Sequence, residues 1–454
     1  MSIKPLDCAD TVSGRGLAGA PTSPLAVVSS MKQIFLGCLI VSLTIAAGHR
    51  ADAIPAYASR TGLACATCHS PAYPRLTRFG WDFRQMGYRT PDEVGKRLLP
   101  FARKPDSQHP DASGYGLTDA LSIGLKTEFD DIQRQKAEQF AKAYVPLSVL
   151  YLSGPLDKNV GYYFKENLNS QFPLFNRAQN RYGLSTPSAS FPFGEVRFFA
   201  GKPGNYFSAR IGQFFPQDGY GLNDQGISIS FPLLMQGVNQ ISASKLQKGV
   251  AVGYTLRDNY LGLYALQGVP SNGDGNSNRS TAHPDFELQY LRFLGKDGSS
   301  IQAVYSVGQT PLNTQGTLTD NYGQLYLLGN WRRRIGKGHA LNLLAGWGMD
   351  SHDKLVAATS NTHGRFDVNS LSAELDYEVY HRFIPYMRFD TAHSGETRYG
   401  AASPGNPASN TNQWTFGISS QPVQNIRLTA EFAASQPSTG PQVNYFRTQL
   451  WFVY

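Results

Sequence analysis

The sequence predicts a mainly β protein: a transmembrane antiparallel β-barrel of about 16 strands, preceded by a short α-helical segment. Composition is the first indication, because the 454 residues include 45 Gly, 24 Tyr and 26 Phe but only 16% charged residues. This Gly-rich, aromatic-rich balance suits an outer-membrane barrel better than a soluble enzyme. The alternation of side chains along the predicted strands and the spacing of the turns are the other two indications.

Alternation is clearest near the end of the chain, which stops on an aromatic residue. Phe446, Leu450 and Phe452 share one face of the last segment, as in the terminal strand of outer-membrane barrels. In the preceding segment Arg427 and Glu431 alternate with apolar residues. Burying these charges in a solid core would be costly, whereas a polar lumen accepts them. The pattern therefore favours a barrel with an apolar outer face.

Turn spacing gives the strand count. Seven short turns pair fourteen strands, at 153–159, 201–205, 257–259, 295–299, 335–338, 380–382 and 421–424. A strand near 121–129 and the C-terminal strand bring the total to about 16. Longer Gly-, Asn-, Ser- and Pro-rich segments separate the pairs, near 131–142, 170–190, 216–247, 269–283, 309–321, 350–364, 394–410 and 435–442. Gly226–Phe231 is extended in pattern but falls inside a long loop, so it is not counted.

A soluble β-sandwich is the alternative fold. Charges recur on one face of strand after strand, for example Glu374 with Asp376 and Arg388 with Asp390. Sixteen strands can enclose a water-filled lumen that receives such side chains. The barrel, residues 113–454, is therefore the better interpretation, with both chain termini in the periplasm.

Residues 1–53 are predicted to be a leader. Met31-Lys32-Gln33 opens a secretory signal whose apolar segment, 34–47, is short for a transmembrane helix. Ala51-Asp52-Ala53 resembles a signal-peptide cleavage site. We therefore expect the true start at Met31 and a mature chain that begins near Ile54, with a formal charge of about +7 instead of +8.

Cleavage at this site would remove two of the four cysteines, Cys8 and Cys38, and leave Cys65 and Cys68. These two lie in Cys-Ala-Thr-Cys-His, the C-x-x-C-H spacing of a c-type haem attachment site. Two thiols add to the haem vinyl groups, and His69 would supply an axial nitrogen to the iron. A zinc site needs further ligands at suitable spacing, and a redox dithiol normally lies in a βαβ unit; the sequence shows neither. We therefore expect one covalent haem c, with His69 as the proximal ligand.

The haem segment with its linker is predicted to span 54–112. A helix is expected over Pro74–Met86, with a stop at Gly87. Its apolar face is expected to cover the haem and comprises Leu76, Phe79, Phe83 and Met86. Residues 54–112 contain nine basic and five acidic residues. This basic excess could dock an acidic partner, pair with haem propionates or be solvated. Residues 100–110 carry three Pro and are expected to form the linker.

The sixth iron ligand has two nearby candidates, Met86 and His109. Met349 and Met387 fall in predicted strands and face lipid, and Met235 lies in a loop. Met86 shares the apolar face of the helix, and Met ligation raises a haem potential. Packing is the alternative role for Met86.

Three parts of the chain together resemble one known family: Ile54-Pro55-Ala56-Tyr57-Ala58, the C-x-x-C-H motif, and Pro74-x-Leu76-x-x-Phe79-Gly80-x-x-Phe83-x-x-x-Gly87-Tyr88. They are similar to the fused monohaem cytochrome–porins of bacterial outer membranes, whose characterised members are extracellular iron(II) oxidases. The barrel resembles the family in length, strand pattern and closing strand, while the residues before Met31 depart from it.

The resemblance implies an iron(II):cytochrome c oxidoreductase integral to the outer membrane and its lipid. It would take electrons from extracellular iron(II) and pass them through its haem, held by Cys65, Cys68 and His69, to a periplasmic cytochrome. The hydrocarbon layer is about 30 Å thick, too wide for a haem wholly on the periplasmic side. We therefore expect the haem segment to enter or plug the barrel. No nucleic-acid partner is expected.

Two other functions stay open: a diffusion porin with a cytochrome plug or docking module, and a conduit that reduces an extracellular acceptor. One predicted outer loop carries Asp350, His352, Asp353 and His363. Carboxylate with imidazole suits iron(II), but ordinary loop polarity explains these residues better, so they are not counted as a site.

Overall fold

The computed structural model describes the following residues: 56–69, 75–94, 121–136, 139–168, 175–176, 181–182, 193–216, 227–228, 232–235, 247–267, 283–311, 319–353, 355–356, 362–363, 366–380, 382–394, 410–423, 426–438 and 441–453. The predicted leader 1–53, the linker 100–110 and His109 lie outside the described residues. None of the helices within the described residues has both the length and the apolar character of a membrane span.

Sixteen antiparallel strands form one closed barrel, in which each strand pairs with its neighbours along the chain and the last pairs with the first. They are β1 (Ser122–Lys136), β2 (Gln139–Asp157), β3 (Val160–Asn167), β4 (Phe193–Lys202), β5 (Asn205–Phe214), β6 (Gln247–Leu256), β7 (Asn259–Leu266), β8 (Asp285–Phe293), β9 (Ser300–Pro311), β10 (Thr319–Gly336), β11 (His339–His352), β12 (Phe366–Val379), β13 (Phe383–Ser394), β14 (Thr411–Val423), β15 (Ile426–Pro437) and β16 (Val443–Val453). The predicted mainly β fold and the strand count are confirmed.

Strand periodicity sorts side chains between the two faces of the barrel. In β8, Asp285, Glu287 and Gln289 are buried inside, while Phe286 and Leu288 are 48% and 45% exposed outside. Other strands repeat this arrangement, with exposed outward apolar residues that include Leu261, Tyr305, Leu327, Leu371, Met349, Met387 and Phe416. An apolar outer face over a polar interior is the pattern of a membrane-spanning barrel. The predicted outward positions of Met349 and Met387 are confirmed.

The seven predicted short turns each join two adjacent strands of the barrel, but the first predicted long loop is wrong. Residues 131–142 belong largely to β1 and β2, which stay paired out to Lys136 and Gln139. Ladder hydrogen bonds join backbone groups, so a polar hairpin extends beyond the apolar girdle without needing apolar side chains. Composition alone therefore misplaced the end of both strands.

The N-terminal segment is helical, as predicted, in short pieces. These are α1 (Ala56–Thr61), α2 (Cys65–Cys68), α3 (Arg78–Gln85) and a 3-10 turn at Pro91–Glu93. The helix expected over Pro74–Met86 begins four residues later, because the Thr77 side chain accepts a hydrogen bond from Gly80 N and caps the helix. Gly87, at φ +67°, ends it as expected.

The N-terminal segment lies inside the barrel, at the end where the short turns are. Gly87 packs against Gly161, and Arg89 donates hydrogen bonds to the carbonyls of Asp157 and Val160. Further contacts at this end join Arg78 to Asp258, Leu76 to Gly298 and Asp82 to Tyr206. We refer to residues 75–94 as the plug.

Part of the long segment between β5 and β6 also enters the lumen. Ile227 is fully buried and packs with Ile384 and Tyr386, while Leu234, from the 3-10 turn Leu233–Met235, packs against Tyr326 and neighbouring residues. The exclusion of Gly226–Phe231 from the strand count therefore agrees with the described residues of this segment. We refer to the described residues 227–228 and 232–235 as the inner loop; the lumen receives both the inner loop and the plug.

The close contact between Gly87 of the plug and Gly161 of β3 predicts that the plug can dock only if residue 161 is glycine. A Cβ on Gly161 would lie 2.4 Å from the Cα of Gly87, inside van der Waals contact. We expect Gly161→Val to displace the plug and to speed tryptic cleavage after Arg78, Arg84 and Arg89, followed by mass spectrometry. Gly329→Val is the matched control, because a Cβ there meets open space. Equal cleavage rates in the two variants would contradict this docking.

Candidate functional site

The C-x-x-C-H motif rests on the first turn of α3. Thr77 N donates to the Cys68 carbonyl at 2.9 Å, and Thr77 Oγ1 donates to the Thr67 carbonyl at 2.6 Å. A Cβ on Gly80 would lie only 2.2 Å from the Cys68 carbonyl oxygen, so this approach requires glycine. The two halves of the segment, which are separated in sequence, are thus held as one unit.

His69 is oriented by the backbone of Arg75. His69 and Leu76 form an isolated antiparallel bridge, and His69 Nδ1 lies 3.2 Å from the Arg75 carbonyl oxygen. A carbonyl only accepts, so this contact places the proton on Nδ1. The lone pair of a neutral imidazole is then on Nε2, which is the arrangement found in metal-ligating histidines.

Arg75 also ties the segment to the barrel wall. Its guanidinium is fully buried, donates to Asp376 Oδ2 at 2.8 Å and lies 3.8 Å from Glu374 Oε1. One residue therefore orients His69 through its carbonyl and anchors the plug through its side chain.

Glu374 contacts the inner loop as well as the plug. Its two carboxylate oxygens accept from the backbone N–H groups of Ile227 and Ser228, at 2.6 and 3.3 Å. Arg427 donates to the Ile227 carbonyl, and Ser228 Oγ donates to Glu431. The predicted inward charges Arg427 and Glu431 are confirmed, and they hold the inner loop to the wall.

The donor set is chemically suited to a c-type haem. The motif brings two thiol-bearing residues onto one helical turn beside an imidazole whose Nδ1 is already engaged. Cys68 and His69 are half-buried. Cys65, Cys68 and His69 are thus the residues that would hold the group.

The apolar face predicted to cover the haem is divided among different neighbours. Leu76 packs with Trp81, Tyr260, Leu291 and Phe293 on the inner wall. Phe83 packs edge-on against Tyr57 and Tyr88.

Met86 is fully buried and packs with Phe199 and Tyr206. Met86 remains a candidate distal ligand. Its contacts with Phe199 and Tyr206 also fit the alternative, in which it only fills space in the core.

The arginines of the segment are used mainly within the chain. Arg60 pairs with Glu93 at 2.9 Å, Arg78 pairs with Asp82, and Arg89 is fully buried. Burial lowers the pKa of Arg89 to about 10, because desolvation disfavours its charged form. Arg75 and Arg89 contact the barrel. Four of the nine basic residues counted in the sequence, at 96, 97, 103 and 104, lie outside the described residues, so the role of the basic excess stays a prediction.

The predicted outer-loop group is dispersed. Asp350 and His352 lie on β11 and face inward, where Asp350 accepts from Tyr326 and His352 Nδ1 lies 2.7 Å from Asp320 Oδ2. His363 belongs to a separate two-residue strand. Within the part of the chain that the structure describes, no three His, Cys, Asp or Glu side chains are arranged to hold a metal ion. The loop assignment of Asp350 and His352 is wrong because β11 continues farther than its composition suggested.

Sequence reasoning missed Asp376 and Glu374 as partners of the segment, although it placed them on the inward face. It also missed Ile227 and Leu234 inside the lumen. The available signal was an isolated apolar run, residues 231–235, in a long polar segment, which exposed loops rarely need.

Together these features define a porin-like β-barrel of the outer-membrane type whose lumen receives an N-terminal plug and an inner loop. No protein-family profile matches the chain, and no curated protein does. An anion-selective porin from Comamonas acidovorans aligns with a TM-score of 0.50 at 10% identity, over 74% of this chain and 99% of that chain. At this identity the likeness shows the fold alone.

Two further solved structures align over similar lengths. The outer membrane channel DcaP of Acinetobacter baumannii has a TM-score of 0.49 at 10% identity, over 79% of this chain and 100% of that one. A loop-deletion mutant of OmpT from Vibrio cholerae has a TM-score of 0.46 at 12% identity, over 74% of this chain and 100% of that one.

Removal of the Arg75 guanidinium should loosen the plug. Arg75→Met leaves Asp376 buried without its donor, a loss of about 3–5 kcal/mol for a buried pair. We expect faster tryptic cleavage within 75–94, and partial recovery in Arg75→Met/Asp376→Leu, where no buried carboxylate is stranded. Arg292→Met, at an exposed outward position of β8, is the control. If the single and double variants are cleaved at the same rate as the wild type, the pair does not hold the plug.

Replacement of Met86 by Leu separates ligation from packing. Leucine fills a similar volume but has no sulfur, so a Met86 ligand predicts an altered haem absorbance spectrum and a lower potential in Met86→Leu. Met387→Leu, on the lipid face, is the control. An unchanged spectrum would leave Met86 as a packing residue.

Proposed function

We propose that this protein is an outer-membrane monohaem cytochrome–porin fusion that oxidises extracellular iron(II) and delivers the electrons to a periplasmic cytochrome. Cys65 and Cys68 would hold one haem c covalently, His69 would ligate its iron, and Met86 is the candidate distal ligand. The activity is that of an iron(II):cytochrome c oxidoreductase integral to the membrane.

One observation carries the proposal: a C-x-x-C-H motif packs against the first turn of α3, with the His69 ring next to the Arg75 carbonyl, and the Arg75 side chain binds Asp376 on the inner wall of a closed barrel. A tethered electron-carrier domain would not need the buried pair between Arg75 and Asp376. A plug that only blocked diffusion would not need two cysteines followed by histidine. The combination suits a redox group held within the membrane span.

The haem would supply reversible one-electron chemistry, while the chain binds, orients and insulates. Arg75 fixes the tautomer and the ring plane of His69. Trp81 and Leu76 seal the plug against Tyr260 and Phe293 on the inner wall. Electron transfer requires no general acid or base.

The two ends of the barrel suggest from which side each electron-transfer partner would reach the motif. Short turns mark the periplasmic end of outer-membrane barrels and long loops the extracellular end. The plug contacts residues beside the short turns, such as Asp157, Asp258 and Gly298. The motif would therefore be reachable by a periplasmic cytochrome, with iron(II) on the opposite side of the inner loop.

The decisive experiment has two stages. First, the purified chain is assayed for covalent haem as its pyridine haemochrome, where we expect one haem per chain and its loss in Cys65→Ala/Cys68→Ala. Second, the haem-loaded protein is mixed with iron(II) in a stopped-flow instrument, where we expect reduction of the haem absorbance. A colourless purified protein would refute the cytochrome assignment, and absence of reduction would refute iron(II) as donor.

The structure of the lumen also addresses the two other functions. A diffusion porin with a cytochrome plug predicts a large conductance through reconstituted, haem-loaded protein, whereas the plug and inner loop described here favour a small one. A conduit that reduces an extracellular acceptor predicts a strongly negative haem potential. Conductance and potentiometric measurements on the same preparation separate the three.

A further inference from the structure

The short turns that close three neighbouring hairpins carry exposed cations. Lys296 lies in the turn between β8 and β9, Lys337 in the turn between β10 and β11, and Arg382 in the turn between β12 and β13. Arg334, near the end of β10, is exposed at the same end of the barrel. Because β9 pairs with β10 and β11 pairs with β12, the three hairpins are adjacent in the barrel. We refer to these four residues as the basic patch.

The positive charge of the basic patch is only partly balanced. Within the described residues, none of its four side chains forms a hydrogen bond or an ion pair. The three turns contain one carboxylate, Asp297, which is half-buried and accepts a hydrogen bond from Ser299 N at 3.1 Å. Glu378, near the end of β12, is buried and is bound by Arg332. An exposed patch of one sign attracts a partner of the opposite sign and raises its association rate.

The short turns on the other part of the rim are more nearly neutral. Lys158 follows Asp157 in the turn between β2 and β3, and Arg257 precedes Asp258 in the turn between β6 and β7. Lys202, at the end of β4, is the exposed cation of the remaining turn on this part of the rim. The excess of positive charge at this end of the barrel is therefore greatest at the basic patch.

The hairpins that carry the basic patch also hold the plug next to His69. Leu76, which forms a bridge with His69, contacts Gly298 in the turn between β8 and β9. Arg75, whose carbonyl lies beside His69 Nδ1, binds Asp376 near the end of β12. A protein bound to the basic patch would therefore lie on the side of the barrel to which the C-x-x-C-H motif is anchored.

We propose that the basic patch is the docking surface for an acidic periplasmic protein. The assignment of this partner as the electron acceptor rests on the proposed function, whereas the charge of the surface does not. Lys296, Lys337 and Arg382 lie beyond the last backbone pairs of their hairpins, which places them past the lipid-facing strands. A charged surface favours fast, salt-sensitive association, which suits a carrier that must leave after each electron.

Lipid headgroups are the other anionic partner at this end of the barrel, and a neighbouring residue suits them better. Arg333 follows Trp331 on the outward face of β10, where both side chains are exposed. Tryptophan and long cationic side chains are typical of the membrane–water interface. Arg333 is therefore left out of the basic patch.

The test measures binding of two probes to the full-length chain in phosphatidylcholine nanodiscs by biolayer interferometry. The probes are an acidic and a basic soluble c-type cytochrome of similar size. The signal is the mass bound, so it does not depend on haem in the chain. We expect the acidic probe to bind more tightly than the basic probe, and its affinity to fall as added salt screens the charges. Equal binding of the two probes would overturn the proposal.

Two matched double variants locate the docking surface. Lys296→Gln/Lys337→Gln removes two charges from the basic patch, and Lys158→Gln/Lys202→Gln removes two exposed charges from the other turns. We expect the first variant to bind the acidic probe about tenfold more weakly at low ionic strength, and the second to bind nearly as the wild type does. Equal weakening in both variants would indicate a response to net charge alone and would overturn the basic patch as the docking surface.

Two further outcomes separate this inference from its alternatives. If neither variant changes probe binding and only Lys296→Gln/Lys337→Gln retains fewer phosphatidylglycerol molecules in native mass spectrometry, the patch binds lipid headgroups and the proposal is overturned. If the acidic probe docks on the basic patch of a protein that proves colourless, the docking surface stands while the cytochrome assignment falls.

Discussion

The buried contact between Arg75 and Asp376 is the interaction on which the arrangement of the lumen depends. Inward-facing positions of a barrel receive polar side chains, and Asp376 and Glu374 would be costly to bury in a dry interior without a cation. The plug supplies that cation through Arg75, at 2.8 Å from Asp376. Because the carbonyl of Arg75 also orients His69, the position of the C-x-x-C-H motif follows from the charge of the wall.

Glu374 extends this dependence to the inner loop. It accepts from Ile227 and Ser228 while lying near the guanidiniums of Arg75 and Arg388. A carboxylate shared by two insertions couples them, because withdrawal of either leaves the remaining partners less well satisfied. The plug and the inner loop are therefore stabilised together through Glu374, so a substitution that loosens one should also loosen the other.

The sequence predicted what local pattern controls. Period-two alternation identified the strands, and the short polar interruptions identified the seven turns. The assignment of Cys65, Cys68 and His69 to a haem stays a prediction from the motif. The sequence could not predict how the lumen is filled, because Arg75 and Asp376 are 301 residues apart and neither has a local signature. The ends of β1, β2 and β11 were misplaced for a different reason. Their polar ends remain hydrogen-bonded to the neighbouring strand through the backbone, and amino-acid composition does not report backbone pairing.

A plugged lumen is the arrangement expected if electrons, and not solutes, are to cross. Diffusion requires a continuous aqueous path, and the plug and the inner loop both occupy part of the lumen. Electron transfer requires only that redox groups approach closely, and a dry, packed interior with fixed dipoles lowers the reorganisation that each transfer demands. A haem held by His69 inside the wall would meet that condition while iron(III), poorly soluble near neutral pH, stays outside. If the plug and the inner loop close the lumen, the chain would be a poor diffusion porin and a suitable electron carrier. Conductance and iron(II) reactivity should then vary in opposite directions when the pair between Arg75 and Asp376 is broken.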